Sequence, residues 1–383
     1  MAIYMDHAAT SPITDPVLAE FNKQLKQLGN PSSLHAYGRE TRRALEESRE
    51  KIANFLHCQP SEIIFTASGT EADNLAIKGL FWSTNKKVIL VSSIEHHAVL
   101  DPAKWLVEKE GAELIEIPVD RNGVIDLEFL KEIVVERNDE IALISVMHSN
   151  NETGALQPID KVIEIAGAIP VHCDAVQSLL KVPVSFSGLT ALTISAHKIG
   201  GPVGVGALVL KRGLDIPALL HGGGQEREIR SGTLNAPAIC AFAAAITEYP
   251  SQQVSKLRDQ MIAGIKTNIP DAIINTPINS LPGIVNVTFP GTKGETLLLL
   301  MDMEGIACST GAACSAGVHR PSHVLVAMGR TESEAIGTLR FSLGAQSTES
   351  DVATVLKVLP GVVQRAKSRS EEHTSELQSR VDI

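Results

Sequence analysis

The feature that most constrains this chain is a series of short apolar runs alternating with amphipathic stretches between about Ser61 and Arg212. EIIFT (62–66), VILVSS (88–93), ELIEIPV (113–119), IALISVM (141–147), PVHCDA (170–175), ALTISA (191–196) and GALVLK (206–211) have the length and β-branched content of strands. Residues 98–110, 126–137 and 159–167 carry helical spacing between them. Strands separated by helices require crossover connections. The pattern therefore predicts an α/β fold around a mostly parallel, buried sheet, with any ligand at the carboxyl ends of the strands.

A chain of 383 residues exceeds one small core, so two domains are expected: a large one over 15–255 and a smaller α+β one built from 1–14 with 256–367. Residues 236–268 read as helix with two faces, PGIVNVTF (282–289) and TLRFSLG (338–344) as strands, and 295–304 and 349–367 as helices. The stretch RSEEHTSELQS (369–379) is polar but for Leu377 and is similar to an in-frame translation of a sequencing adapter. Residues 368–383 therefore read as a non-native-looking polar tail rather than a natural solvated one, and are set outside the functional argument. A net charge of −10 argues against a broad nucleic-acid footprint. Five cysteines, an odd count without CxxC spacing, predict neither a disulfide framework nor a zinc knuckle, and no metal site is expected. The N-terminus lacks a secretory pattern, and LLLLM (297–301) falls far short of the ~20 apolar residues that span a bilayer, so a reducing cytoplasm is the expected location.

Chemistry concentrates in a few segments. In SAHKIGGPVGVGAL (195–208), Lys198 follows a strand end on a glycine-rich turn, where its amine can form a Schiff base with an aldehyde cofactor; alone, it reads equally well as a surface charge. Asp174 ends the strand in PVHCDAVQS, with Gln177 three residues on. A carboxylate there can keep a pyridine nitrogen protonated and an amide can bond a phenolic oxygen, while a helix N-cap is the plainer role for Asp174. In FTASGTEADNLAIKG (65–79), Gly69, Thr70 and the first N–H groups of the following helix suit a phosphate, although capping by Thr70 with Asp73 would also explain the pattern. His96, in SSIEHHAVL (92–100), follows a strand and can stack on an aromatic ring, with His97 beside it as the other choice. STGAACSAGVHRPSH (309–323) lacks apolar periodicity and reads as a mobile loop, so Cys314 is expected as an exposed thiolate rather than a buried structural cysteine.

Together these segments carry a resemblance. With YMDHAATSP (4–12), GNPSSLHAYG (29–38), MHSNNETG (147–154), HGGGQEREIRSGTLN (221–235) and LRFSLG (339–344), they stand in the order found in cysteine desulfurases of the housekeeping iron–sulfur and nitrogen-fixation group. These are class V aminotransferase-family members of the fold-type I pyridoxal-phosphate enzymes. The resemblance covers residues 4 to about 365. It implies a fold-type I transferase in which Lys198 binds pyridoxal 5'-phosphate, His96 stacks on the ring and moves protons, Asp174 meets the pyridine nitrogen and Gln177 the ring oxygen. Gly69, Thr70, Ser195 and His197 would hold the phosphate. Thr233 would reach the phosphate of a neighbouring subunit, implying a homodimer. Asn151 and Arg340 would hold the carboxylate of L-cysteine, and Cys314 would take its sulfur as a persulfide, leaving alanine. A long loop would then carry the sulfur to an acceptor protein, an iron–sulfur scaffold or a tRNA-thiolation protein. Ala313 stands where relatives often have Ser, and the docking segment of the housekeeping enzymes is not recognisable. Cys308 has no implied role, although a disulfide with Cys314 could inactivate the enzyme. A class V aminotransferase or selenocysteine lyase would use the same lysine, the former without needing Cys314. A non-catalytic scaffold would take up no cofactor.

Overall fold

The computed structural model describes residues 2–247, 254–310 and 321–381, with side chains through residue 369. The first part runs β1 (Ile3–Tyr4), α1 (Asp15–Leu25), α2 (Ala36–Leu56), β2 (Ile63–Thr66), α3 (Gly69–Trp82), β3 (Val88–Ser92), α4 (His97–Glu110), β4 (Glu113–Ile117), α5 (Leu127–Arg137), β5 (Ile141–Ser145), α6 (Ile159–Ala166), β6 (Val171–Asp174), β7 (Ala191–Ser195) and β8 (Gly206–Leu210). Then come α7 (Ala236–Thr247), α8 (Val254–Asn268), β9 (Ile273–Ile274), β10 (Ile284–Thr288), α9 (Gly294–Met303), β11 (Ile306–Ala307), α10 (His323–Ala327), α11 (Glu332–Ile336), β12 (Thr338–Ser342) and α12 (Glu349–Val381).

The expected strands assemble into one seven-stranded sheet of order β2-β8-β7-β6-β5-β3-β4. It is parallel except at β8, which runs antiparallel to both neighbours. Strands β2, β3, β5, β6, β7 and β8 are buried along their whole length, which is why they read as unbroken apolar runs rather than alternating ones. The edge strand β4 instead exposes Glu113 and Glu116, charges that discourage pairing with another chain. Because β8 reverses between β2 and β7, those two point the same way as β6, β5, β3 and β4. Six carboxyl ends therefore open on one side of the sheet.

Helices cover both faces. One apolar core joins α2, α5, α6 and α7 to the sheet through residues such as Leu45, Ile52, Leu130, Val162 and Phe242. Another packs α3 and α4 on the opposite face through Leu75, Leu80, Val99 and Leu106. A third core lies in the C-terminal part, where the antiparallel sheet β12-β10-β9 packs against α8, α9 and α12. Met5 belongs to this third core, because β1 pairs in parallel with β11 and Asp6 bridges to Ser342. The long helical reading of 236–268 resolves into α7 and α8, flanking residues outside the described set. Helix α12 continues to Val381, beyond the stop expected at 367: Glu, Gln, Leu and Arg in the polar stretch are good helix formers and need no apolar face to carry the backbone on. No described helix is long and apolar enough to cross a membrane.

Candidate active site

A cavity of about 590 Å³ opens at five of these six carboxyl ends. After β2 come Ser68, Gly69 and Thr70; after β3, His96 and His97; after β5, Met147, Ser149 and Asn151; after β6, Asp174 and Gln177; and β7 ends in Ser195, followed by His197 and Lys198. Arg340 arrives from β12 and Ala8 and Ala9 from the N-terminal segment. Of the twelve candidates drawn from the sequence, ten line this one cavity, although they come from segments spread over about 270 residues: Gly69, Thr70, His96, Asn151, Asp174, Gln177, Ser195, His197, Lys198 and Arg340.

The anion-binding end is built by α3. Ser68 caps the helix, its Oγ accepting from the Glu71 N–H at 3.0 Å, so Thr70 is free of the capping role and faces solvent. Gly69 is required by space: a Cβ there would sit 2.9 Å from Val176 Cγ2. Free N–H groups at a helix start beside Thr70, Ser195 and His197 make a cradle for a phosphate-like group.

Lys198 sits in a single 3-10 turn (His197–Ile199) that directly follows β7. Its Nζ donates to the carbonyls of Ala8 at 2.7 Å and Ala9 at 2.8 Å. Burial and the nearby Arg340 push its pKa down to about 8, opposed by Asp6 and Asp174. An amine so placed carries an unprotonated fraction near neutral pH, as a nucleophilic or proton-accepting lysine needs. His96 caps α4, Nδ1 accepting from the Ala98 N–H at 3.1 Å. Its ring opens on the cavity, and desolvation within the recess, with Lys198, holds its pKa down at about 4. His197 is lowered to about 4 as well, by burial first and then Lys198 and Lys181. Both rings are therefore neutral at physiological pH.

Asp174 is buried at the floor, and no helix follows it for it to cap; Oδ1 instead takes the Val176 N–H at 2.8 Å. Burial raises its pKa to about 6, partly offset by the Val176 hydrogen bond and Lys198. Asp73 and Glu95 are buried near it, each with one carboxyl oxygen lacking a hydrogen-bond partner among the described residues, and burial and Asp174 raise both. Beneath them His172 bridges Ser145 Oγ (2.9 Å) and Thr193 Oγ1 (3.0 Å). Such a floor favours a cation above it. In the ligand-free protein it also costs stability. The folded state binds the Asp174 proton more tightly than the unfolded chain, so stability is lost as pH rises from about 4 to about 6. Asp174→Asn should therefore raise the melting temperature of cofactor-free protein at pH 7–8, by the equivalent of roughly 1–3 kcal/mol, with the gain vanishing below about pH 4. Melting curves across that range that stay superimposable would contradict this.

At the opposite wall Arg340 is buried, donating from Nη1 to the Asn151 carbonyl and from Nη2 to Asp6 Oδ1, both at 2.9 Å. Its Nε has no hydrogen-bond partner among the described residues. Near the mouth, Ser322 Oγ donates to Glu152 Oε2 at 2.5 Å, and His323 Nε2 lies 2.9 Å from the Glu95 carbonyl. These contacts secure the chain just after residues 311–320. Cys314 falls within that segment and lies outside the described residues. Thr233 is exposed and does not line this cavity. Sequence reasoning missed Asp6, the Ala8 and Ala9 carbonyls, Glu95 and Glu152, and gave Asp73 only a capping role; backbone carbonyls carry no residue-type signal, whereas carboxylates adjoining the motif residues could have been noticed.

The family model for aminotransferase class-V matches residues 3–355. The chain belongs to the class-V aminotransferase family. Among relatives in this family, the IscS-like cysteine desulfurase of Mycobacterium tuberculosis is 44% identical, the alignment covering 95% of this chain and 97% of that one. The cysteine desulfurase NifS of Azotobacter vinelandii is 38% identical, with 96% and 94% covered. Of solved structures, a NifS-like protein superposes with a TM-score of 0.88 at 36% identity over 95% of this chain and all of that one. SspA in complex with cysteine superposes with a TM-score of 0.80 at 33% identity, over 90% of this chain and all of that one. This class-V chain thus stands among the cysteine desulfurases, and its cavity at the strand ends follows the ligand position expected of its fold.

Proposed function

We propose that this protein is a pyridoxal-phosphate-dependent cysteine desulfurase that converts L-cysteine to L-alanine and leaves the sulfur on Cys314 as a persulfide. The observation that carries the reading is the meeting of Lys198, Asp174, Gln177, Ser195 and Arg340 on one cavity in a chain whose relatives are cysteine desulfurases.

The residues fit the cofactor. The Asp174 carboxylate, buried without a full counter-charge, suits a protonated ring nitrogen. The cradle of Gly69, Thr70, Ser195 and His197 suits its phosphate, Gln177 its ring oxygen and Lys198 its aldehyde; Thr233 would serve the neighbouring subunit of a homodimer. Pyridoxal phosphate, when bound, supplies the electron sink that lets the bonds at the substrate's Cα and Cβ break. The Lys198 amine, with its pKa brought down to about 8, takes the Cα proton. His96, neutral at working pH, covers the ring face and assists proton movement. Arg340, whose Nε is unpaired among the described residues, holds the substrate carboxylate with Asn151. The Cys314 thiolate attacks the substrate sulfur: a sulfur–sulfur bond forms, the carbon–sulfur bond breaks, and its electron pair ends in a C–H bond of alanine. Thiol plus cysteine gives persulfide plus alanine, with no external oxidant. The persulfide then passes to an acceptor protein, an iron–sulfur scaffold or a tRNA-thiolation protein.

With cysteine and a thiol reductant, wild-type protein should release alanine and sulfide in equal amounts. Cys314→Ala should lose this by about 10³-fold or more, as expected when a covalent nucleophile is removed. A keto acid product, or full sulfide release by the variant, would sink the persulfide mechanism.

A further inference from the structure

Behind the wall of the active-site cavity lies a second cavity of about 590 Å³, lined among others by His7, Ala8, Ser11, Leu180, Lys181 and Gly344. Ala8 lines both spaces. The wall between them is crossed by a chain of hydrogen bonds. Lys181 Nζ donates to Gln177 Oε1 at 3.2 Å, Gln177 Nε2 donates to the Ala8 carbonyl at 2.8 Å, and that carbonyl also accepts from Lys198 Nζ at 2.7 Å.

A carboxamide has two unlike ends: its oxygen only accepts and its nitrogen only donates. Here each end meets its complement. Turned over, the Gln177 amide would set its oxygen against the Ala8 carbonyl and its N–H groups against the Lys181 amine. Lys181 thus supplies the donor that decides which end of Gln177 faces the active site. The spacing is helical (Gln177 and Lys181 are four residues apart), although the turn that carries them belongs to no regular helix. Lys181 is costly to keep where it is. Burial, Lys198 and Arg340 all depress its pKa, to about 7, so it is no ordinary solvated surface lysine.

We propose that Lys181 is a positioning residue for the cofactor: by holding Gln177 Oε1 it keeps the amide turned with Nε2 on the Ala8 carbonyl, leaving the second N–H of that nitrogen to donate to the cofactor's ring oxygen. This rests on the pyridoxal-phosphate reading above. The role is one step removed from chemistry, because Lys181 acts through Gln177.

The test uses the purified full chain, loaded with pyridoxal phosphate, and reads two quantities other than turnover: cofactor affinity, and the pH midpoint at which the visible absorption band changes form. Lys181→Met keeps the length and apolar stem but removes the donor. It should weaken cofactor binding roughly tenfold, the worth of one well-placed hydrogen bond, and displace the pH midpoint of the band. Lys181→Arg, which restores an N–H donor, should recover most of both effects. In a Gln177→Leu background the Lys181→Met change should add nothing further. A lysine that only filled the wall would be replaced by Met without loss, so Lys181→Met with wild-type affinity and midpoint would overturn the proposal, as would an undiminished effect in the Gln177→Leu background. A wild-type protein that is colourless and takes up no pyridoxal phosphate would overturn the cofactor reading itself, a result distinct from either of these.

Discussion

Lys198→Ala abolishes alanine and sulfide formation while leaving the protein folded. In the proposed mechanism the amine that takes and returns the Cα proton disappears, and acid–base catalysis by a positioned side chain is worth on the order of 10²–10⁴-fold. Loss of the covalent anchor for the cofactor adds to this. The fold has no need of the lysine: its ammonium is kept in a recess where burial and Arg340 both oppose its charge, and among the described residues it bonds only the Ala8 and Ala9 carbonyls. A melting temperature close to wild type beside activity at background is the expected pair of results. Turnover within tenfold of wild type would remove Lys198 from the chemistry.

Arg49→Met produces the opposite outcome, a large loss of stability from a residue outside the cavity. Arg49 lies buried between α2 and the sheet, donating from Nη1 to the Ile63 carbonyl (2.7 Å) and to Glu226 Oε2 (2.9 Å), and from Nη2 to Glu226 Oε1 (2.7 Å). Glu226 Oε2 also accepts the Phe65 N–H at 2.7 Å. The carboxylate begins a segment in which Glu226, Arg227 and Glu228 have φ of 47, 59 and 64°, a left-handed turn made without glycine that costs about 1–2 kcal/mol per residue. The ion pair is what offsets that strain. Removing the guanidinium strands a buried carboxylate, a loss of about 3–5 kcal/mol, or roughly 5–10 °C in melting temperature. Adding Glu226→Gln to Arg49→Met should restore part of it, because the uncompensated charge goes. Calorimetry giving equal melting temperatures for wild type and Arg49→Met would show that the turn holds without the pair.

The parts of the fold legible in the sequence are those where burial dictates residue type. IALIS in β5 and ALTIS in β7 are buried along their length, so each had to be an apolar run of strand length. The site was legible where chemistry demands a particular side chain beside a strand end, as with Asp174 and Lys198. What could not be read depends on pairing at long range. The two-residue strands β1 and β11 carry no local pattern and exist only because they meet each other. The Ala8 and Ala9 carbonyls that hold Lys198 could have belonged to any residue. Lys181 looks like a solvated charge until its partner is seen, although its place four residues after Gln177 was a hint.

The segment that closes over Lys198 also sets a clock on the protein's birth. Asp6 meets Arg340 across 334 residues of sequence, and β1 finds no strand to pair with until β11 has been made. On a ribosome adding about 5–20 residues per second, Asp6 and β1 therefore wait on the order of tens of seconds for their partners. The parallel sheet can gather in that interval, since its strands all lie within residues 63–210. The pocket it supports cannot. Ala8 and Ala9 reach Lys198 only once β12 has appeared to anchor the segment that bears them, so catalytic competence waits for residues 338–342, on a sheet already gathered.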